Sequence, residues 1–131
     1  MKIIIILLTV PLSLISCSTD TRVEALTDAS VEATLISAYK INNTAISGRS
    51  VSFVVNCVIP DPCWAFVRTE VTTLGKDVFF KVYARSTSSA CTEVYYSLDA
   101  PASVTLQSSG TYIFHFWQYN DKTLDTTIVV Q

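Results

Sequence analysis

The stretch WAFVRTEVTTLGKDVFFKVYAR, Trp64 to Arg85, decides the fold class. In its second half Val78, Phe80, Val82 and Ala84 fall on one side of a period-2 pattern. Lys81, Tyr83 and Arg85 fall on the other, together with Phe79. Successive side chains of a strand point to opposite faces, so this alternation predicts a half-buried β-strand. Its first half, Trp64 to Thr73, is rich in Val, Thr and aromatic residues, which suit a pleated, partly covered surface. Between the two, Thr73-Leu74-Gly75-Lys76 reads as a hairpin turn, with glycine where positive φ is needed.

The same signal recurs outward from this hairpin. Val51, Phe53, Val55 and Cys57 alternate with Ser52, Val54, Asn56 and Val58. Val31 to Ile41 is expected to be a strand with Val31, Ala33, Leu35, Tyr39 and Ile41 on one side, a helix being the competing reading. Cys91 to Leu98, Val104 to Leu106, Thr111 to Tyr119 and Leu124 to Val130 complete the set. Gly48, Gly75 and Gly110 each precede a strand, and Pro60, Pro62 and Pro101 are placed between strands. Seven or eight short strands in one domain of this size predict an all-β, antiparallel sandwich of the immunoglobulin-like kind.

The chain has 131 residues, half of them hydrophobic and 15% charged, which excludes a disordered tail and a coiled coil. Nine basic residues against eleven acidic ones leave a net charge of −2, no footprint for nucleic acid. Mean hydropathy is +0.41, raised in part by the N-terminal segment.

That segment, MKIIIILLTVPLSLISC, has Lys2 followed by an apolar core in which 10 of the 13 residues Ile3 to Ile15 are Ile, Leu or Val. It is too short to span a bilayer and fits a secretory signal peptide, a cleaved helix. Leu14-Ile15-Ser16-Cys17 resembles the lipobox of bacterial lipoproteins. The resemblance implies diacylglycerol on the Cys17 sulfur, cleavage before Cys17 and an acylated new N-terminus, which together anchor a protein stably to a membrane. Ser18 after the cysteine resembles an outer-membrane sorting signal. The expected organisation is a signal peptide over 1–16, a lipidated polar tether over 17–30 and the sandwich over 31–131. The mature chain would carry eight basic and eleven acidic residues.

Two further likenesses concern the sandwich. Gly110-Thr111-Tyr112-Ile113-Phe114 resembles the start of strand F in immunoglobulin-like domains, where a tyrosine hydroxyl bonds back to upstream backbone, the tyrosine corner. Phe114 stands where antibody domains carry a second cysteine, so their inter-sheet bridge is absent; Trp64 is a candidate core tryptophan. The stretch Pro62 to Val130 is also similar to a module of small secreted bacterial proteins of unassigned function. The match runs through Pro62-Cys63-Trp64-Ala65-Phe66, Cys91-Thr92-Glu93-Val94 and Gly110 to Phe114. This resemblance implies a Cys63–Cys91 disulfide. Export favours bridges independently. With Cys17 lipidated, three cysteines allow three pairings. Cys63 and Cys91 flank the two arms of the hairpin and should meet at one end of the sandwich. Cys57–Cys63 is the rival, and Cys57 otherwise reads as a buried small hydrophobe.

Candidates for chemistry are few. His115 is the single histidine, set between Phe114 and Phe116, and reads as a surface residue on the outer face of a strand. Cys57, Cys63, Cys91 and His115 make four potential zinc ligands, but their spacing is not that of a zinc knuckle. No nucleophile elbow, phosphate loop or dinucleotide fingerprint is present. Asp121 and Asp125 flank a turn, where Asp and Asn belong for conformational reasons. The remaining signal is aromatic: Trp117 and Tyr119, with His115 nearby, form a candidate binding surface, and Tyr95, Tyr83 and Phe79 add to the outward aromatics. The expected function is therefore non-catalytic and without cofactor or metal. It is an interaction or structural module at the cell envelope, held to the outer membrane through Cys17, whose partner is an envelope protein or glycan. The alternatives are a ligand-binding or inhibitor module recognising a glycan or protease, and a metal or redox role through Cys57 and His115.

Overall fold

The computed structural model describes residues 32–131. The signal peptide, Cys17, the tether and Val31 lie outside the described residues. The chain runs through β1 (Thr34–Ser47), β2 (Ser50–Ile59), β3 (Trp64–Leu74), β4 (Asp77–Ser86), β5 (Tyr96–Thr105), β6 (Gly110–Trp117) and β7 (Thr123–Val130). A single 3-10 turn, Tyr119–Asp121, separates the last two. The fold is all-β, as the alternation predicts.

The strands form two layers. One contains β3, β4, β6 and β7; the other contains β5, β2 and most of β1. β1 joins them. Its residues Thr34–Ile36 pair with Val82–Ala84 of β4, and from Ser37 onward it pairs with β2. Register shifts between Ala38 and Lys40 and between Ile41 and Asn43 accompany the change of layer. Bulges of this kind increase local twist and let one strand serve two sheets.

The two inner faces meet through aromatic rings. Phe53 of β2 lies 5.8 Å from Phe80 of β4 and 5.0 and 5.1 Å from Phe114 and Phe116 of β6, ring centre to ring centre. Phe80 and Phe116 occupy one register position on adjacent strands and stack at 4.9 Å. Around them Val51, Val55, Cys57, Val78 and Ala84 are fully buried. Every inner position read from the alternation of β2 and β4 is thus in the core.

Four expectations need correction. The inward residues of β1 are Ile36 and Ala38, whereas Tyr39 is 68% exposed. Ile36 and Ala38 precede the first bulge, which inserts Tyr39 and brings Ile41 against the core; a uniform period over Val31 to Ile41 misses both the face and the reset. No strand covers Cys91 to Tyr95; β5 starts at Tyr96 and absorbs both Pro101 and Val104. Pro101 is tolerated because β5 pairs only with β2 in the ladder and its missing N–H points away from that ladder, on the side where the Thr69 hydroxyl donates to the Pro101 carbonyl at 2.7 Å. The sandwich is not wholly antiparallel either. Asp77–Phe80 of β4 run parallel to Ile113–Phe116 of β6. This is possible because the intervening chain crosses to the other layer as β5 before returning.

The tyrosine corner is present. The Tyr112 hydroxyl donates to the Ser108 carbonyl at 2.8 Å, four residues upstream. Lys76 completes it, donating to Ser108 Oγ (3.0 Å), the Ser109 carbonyl (2.9 Å) and the Tyr112 hydroxyl (3.2 Å). Its ammonium also sits 4.3 Å from the Tyr112 ring centre. Gly110, at φ +136°, makes room, since a Cβ there would stand 2.9 Å from Lys76 Nζ. We expect Tyr112→Phe to lower stability by about 1 kcal/mol, read as a shift in urea midpoint, because it removes one net hydrogen bond and strands a lysine proton.

Candidate functional site

β6 and its neighbours carry the candidate surface on the outer face of their sheet. Phe114 and Phe116 point into the core, so His115 and Trp117 point out. Cross-strand register sets Asp125 of β7 beside His115, and Phe79 of β4 on its other side. The imidazole is held at both ends: Nδ1 is 2.8 Å from Asp125 Oδ1 and Nε2 is 2.8 Å from Asp77 Oδ1. Its ring stacks on Phe79 at 4.6 Å. The side chain is only 16% exposed, so His115 is not the free surface histidine that its place in the sequence suggests.

This clamp has an electrostatic consequence. Burial alone would push the His115 pKa down, but the carboxylates of Asp77 and Asp125 outweigh it and raise the pKa above the ordinary 6.5. The Asp125 pKa is lowered, chiefly by the Thr123 side chain that bonds its carboxylate and also by His115. A raised histidine pKa stabilises the fold fully below 6.5, and that contribution disappears as pH climbs through the native value. A depressed Asp125 pKa works the other way, contributing above 3.8 and failing as pH falls through the native value. We therefore expect denaturation midpoints to fall as pH rises above 6.5, and His115→Gln to flatten that slope.

Trp117 lies next along β6. Its indole N–H donates to Asp121 Oδ1 at 3.3 Å, and its ring meets Tyr119 edge-on at 6.0 Å. Tyr119 is 56% exposed. The turn holding both has Asn120 and Asp121 at φ 59° and 54°, which these two residue types tolerate best after glycine. Thus His115, Trp117 and Tyr119, read from sequence as a binding surface, do lie close together. Asp77 and Asp125, which lock the histidine, were invisible as its partners because the β4–β6 pairing is non-local. Farther along the same face Arg68 forms an ion pair with Glu70 at 3.0 Å and covers the Tyr83 ring at 4.2 Å.

Cys57, Cys63 and Cys91 are placed as expected. Cys63 and Cys91 form the disulfide, with Cα atoms 6.1 Å apart. Cys57 is free and buried. Burial, with some help from the Asp99 charge, pushes its thiol up to about 12. We expect Cys57 to ignore thiol reagents in the native protein and to react once guanidinium unfolds it. Asp61, Cys63 and Cys91 bring three potential metal-ligand atoms within 4.8 Å of one another. The bridge consumes both thiols, and the Asp61 carboxylate accepts from the Cys63 N–H (2.9 Å) and the Trp64 indole (3.2 Å). The cluster is a knot that fastens the loop before β3. Trp64 is half-buried at its margin rather than central in the core. Cys57 and His115 are kept apart, one inside the β2 layer and the other on the outer face of the opposite sheet.

No family model, curated protein or solved structure matches this chain.

Proposed function

We propose that this chain is a lipid-anchored, non-catalytic interaction module of the bacterial cell envelope, and that it engages its partner through the outer face of β6 and β7. The observation that carries the reading is the Trp117–Tyr119 pair. These two aromatics stand outward beside Asp121 and the clamped His115, instead of completing the core. Large amphipathic rings with a polar rim are what recognition surfaces use. The histidine supports a structural role: both its nitrogens are occupied by carboxylates, leaving neither free to take a proton from a nucleophile.

Glycan recognition is the second reading, favoured by one feature. An aromatic ring flanked by carboxylate acceptors offers stacking to a sugar face and hydrogen bonds to its hydroxyls. Binding would be followed by tryptophan fluorescence in the Trp64→Phe protein, which leaves Trp117 as the only indole. A glycan that shifts this emission, and loses affinity on Tyr119→Ala, supports that reading. Full-length chain expressed in a bacterium tests the anchor: acylated Cys17 at the N-terminus by mass spectrometry, with release from membranes on Cys17→Ser. An unacylated product that keeps Met1 would refute it.

A further inference from the structure

The edges of the two sheets are not treated alike. β5 carries Asp99 and Pro101 on its ladder. β3 carries Arg68 and Glu70 and a register shift after Phe66. β7 carries Asp125. Charges, proline and bulges are the usual means of keeping an edge from pairing with another chain. The second half of β1 has neither charge nor proline, and its one irregularity, the shift between Ile41 and Asn43, lies at its start. Its residues 42–47 are Asn, Asn, Thr, Ala, Ile and Ser, all exposed, and among the described residues they pair with β2 on one side only. Ile46 is 51% exposed there.

The hairpin at Gly48-Arg49 tells which groups face outward. Ser47 and Ser50 close a two-residue loop, with Gly48 at φ +57°, so these two serines exchange both ladder hydrogen bonds. Bonding alternates along an antiparallel ladder. Asn43 and Ala45 are therefore tied to β2, while Thr44 and Ile46 aim their N–H and C=O groups at open space.

We propose that this edge is a self-association site, where residues 42–47 of two copies pair antiparallel about a two-fold axis. A second copy is the occupant this stretch fits best, because an uncharged strand laid against itself sets no like charges opposite each other. The flanking Arg49 does not intrude, since its guanidinium donates to the Gln107 carbonyl of its own chain at 2.6 Å. The chain's own upstream segment fits poorly. From Thr34, where β1 enters alongside β4, back along the strand to Thr44 is about 33 Å at the usual rise per residue, which uses most of a tether of this length. Pairing would join two three-stranded sheets into one of six, through a small interface of the transient class. The inference is independent of the aromatic face, and only the exclusion of the upstream segment rests on the proposed cleavage before Cys17.

The test is cysteine cross-linking on the purified full-length chain in detergent. Asn43, Thr44, Ala45 and Ile46 are replaced singly by cysteine and oxidised, with Thr127→Cys on β7 as the control. Facing residues on paired strands stand at Cα distances that a disulfide accepts. Two-fold pairing predicts covalent dimer concentrated at one or two adjacent positions, where the axis passes. Thr44→Pro removes an outward N–H and no ladder bond, and Thr44→Lys adds a charge; each should reduce dimer by about tenfold. Equal cross-linking at all four positions would mean parallel stacking and would overturn the two-fold pairing. A monomer at every concentration, whether its edge is open or covered by its own N-terminal segment, would overturn self-association. So would cross-linking that favours the β7 control.

Discussion

Phe53→Ala is expected to cost about 3–5 kcal/mol. The reason is position more than size. Phe53 is the one ring of the β1–β2–β5 layer that touches three rings of the opposite layer: Phe80, Phe114 and Phe116. It is 2% exposed, so truncation opens a void that its neighbours cannot fill without leaving their own rotamers. Phe80 and Phe116 already stack on each other and are held in register by the β4–β6 ladder. Aromatic pairing adds to the loss beyond area alone. The measurement is a guanidinium titration followed by near-ultraviolet circular dichroism. Phe53→Leu, which retains most of the volume, should lose less than half as much. An equal loss for both variants would show that the site is not packed as described.

The core was legible because strand alternation is local. Val51 to Cys57 and Val78 to Ala84 reveal their inner faces in isolation, and the structure buries those residues. The hairpin turn at Gly75 was legible for the same reason, since turn chemistry is set within four residues. What stayed hidden depends on contacts between distant segments. The bulges in β1 exist because that strand must serve both layers, and nothing near Tyr39 announces it. The parallel β4–β6 pairing brings Asp77 and His115 together across 38 positions. Sequence shows a lone histidine beside two phenylalanines, and the clamp that fixes its charge appears only when the strands are assembled. The tyrosine corner lies between these cases. Gly110-Thr111-Tyr112 pointed to the hydroxyl bond, whereas the lysine that completes it comes from a different hairpin.

Removal of the Cys63–Cys91 bridge, by Cys63→Ser with Cys91→Ser, is expected to cost about 3–4 kcal/mol in the chain-entropy model for a loop of 28 residues. For a domain of this size that is a fall in Tm on the order of 15–25 °C. The loss should be uneven across the fold. Cys63 is held to the β3–β4 arm by its carbonyl, which accepts from the Thr87 N–H (2.8 Å) and hydroxyl (2.6 Å). The hairpin therefore keeps its own closure without the bridge. The stretch between Thr87 and β5 is different. It has no ladder partner, and Val94 and Tyr95, like Tyr96 at the start of β5, are mostly exposed. With the bridge gone, this segment retains little besides local turns, and β5, at the sheet edge, follows it. The double variant should thus be cut by chymotrypsin at Tyr95 and Tyr96 well before β4 or β6 are attacked, while the bridged protein resists. Cutting in the core strands at the same rate would mean that the bridge supports the whole sandwich rather than one end of it.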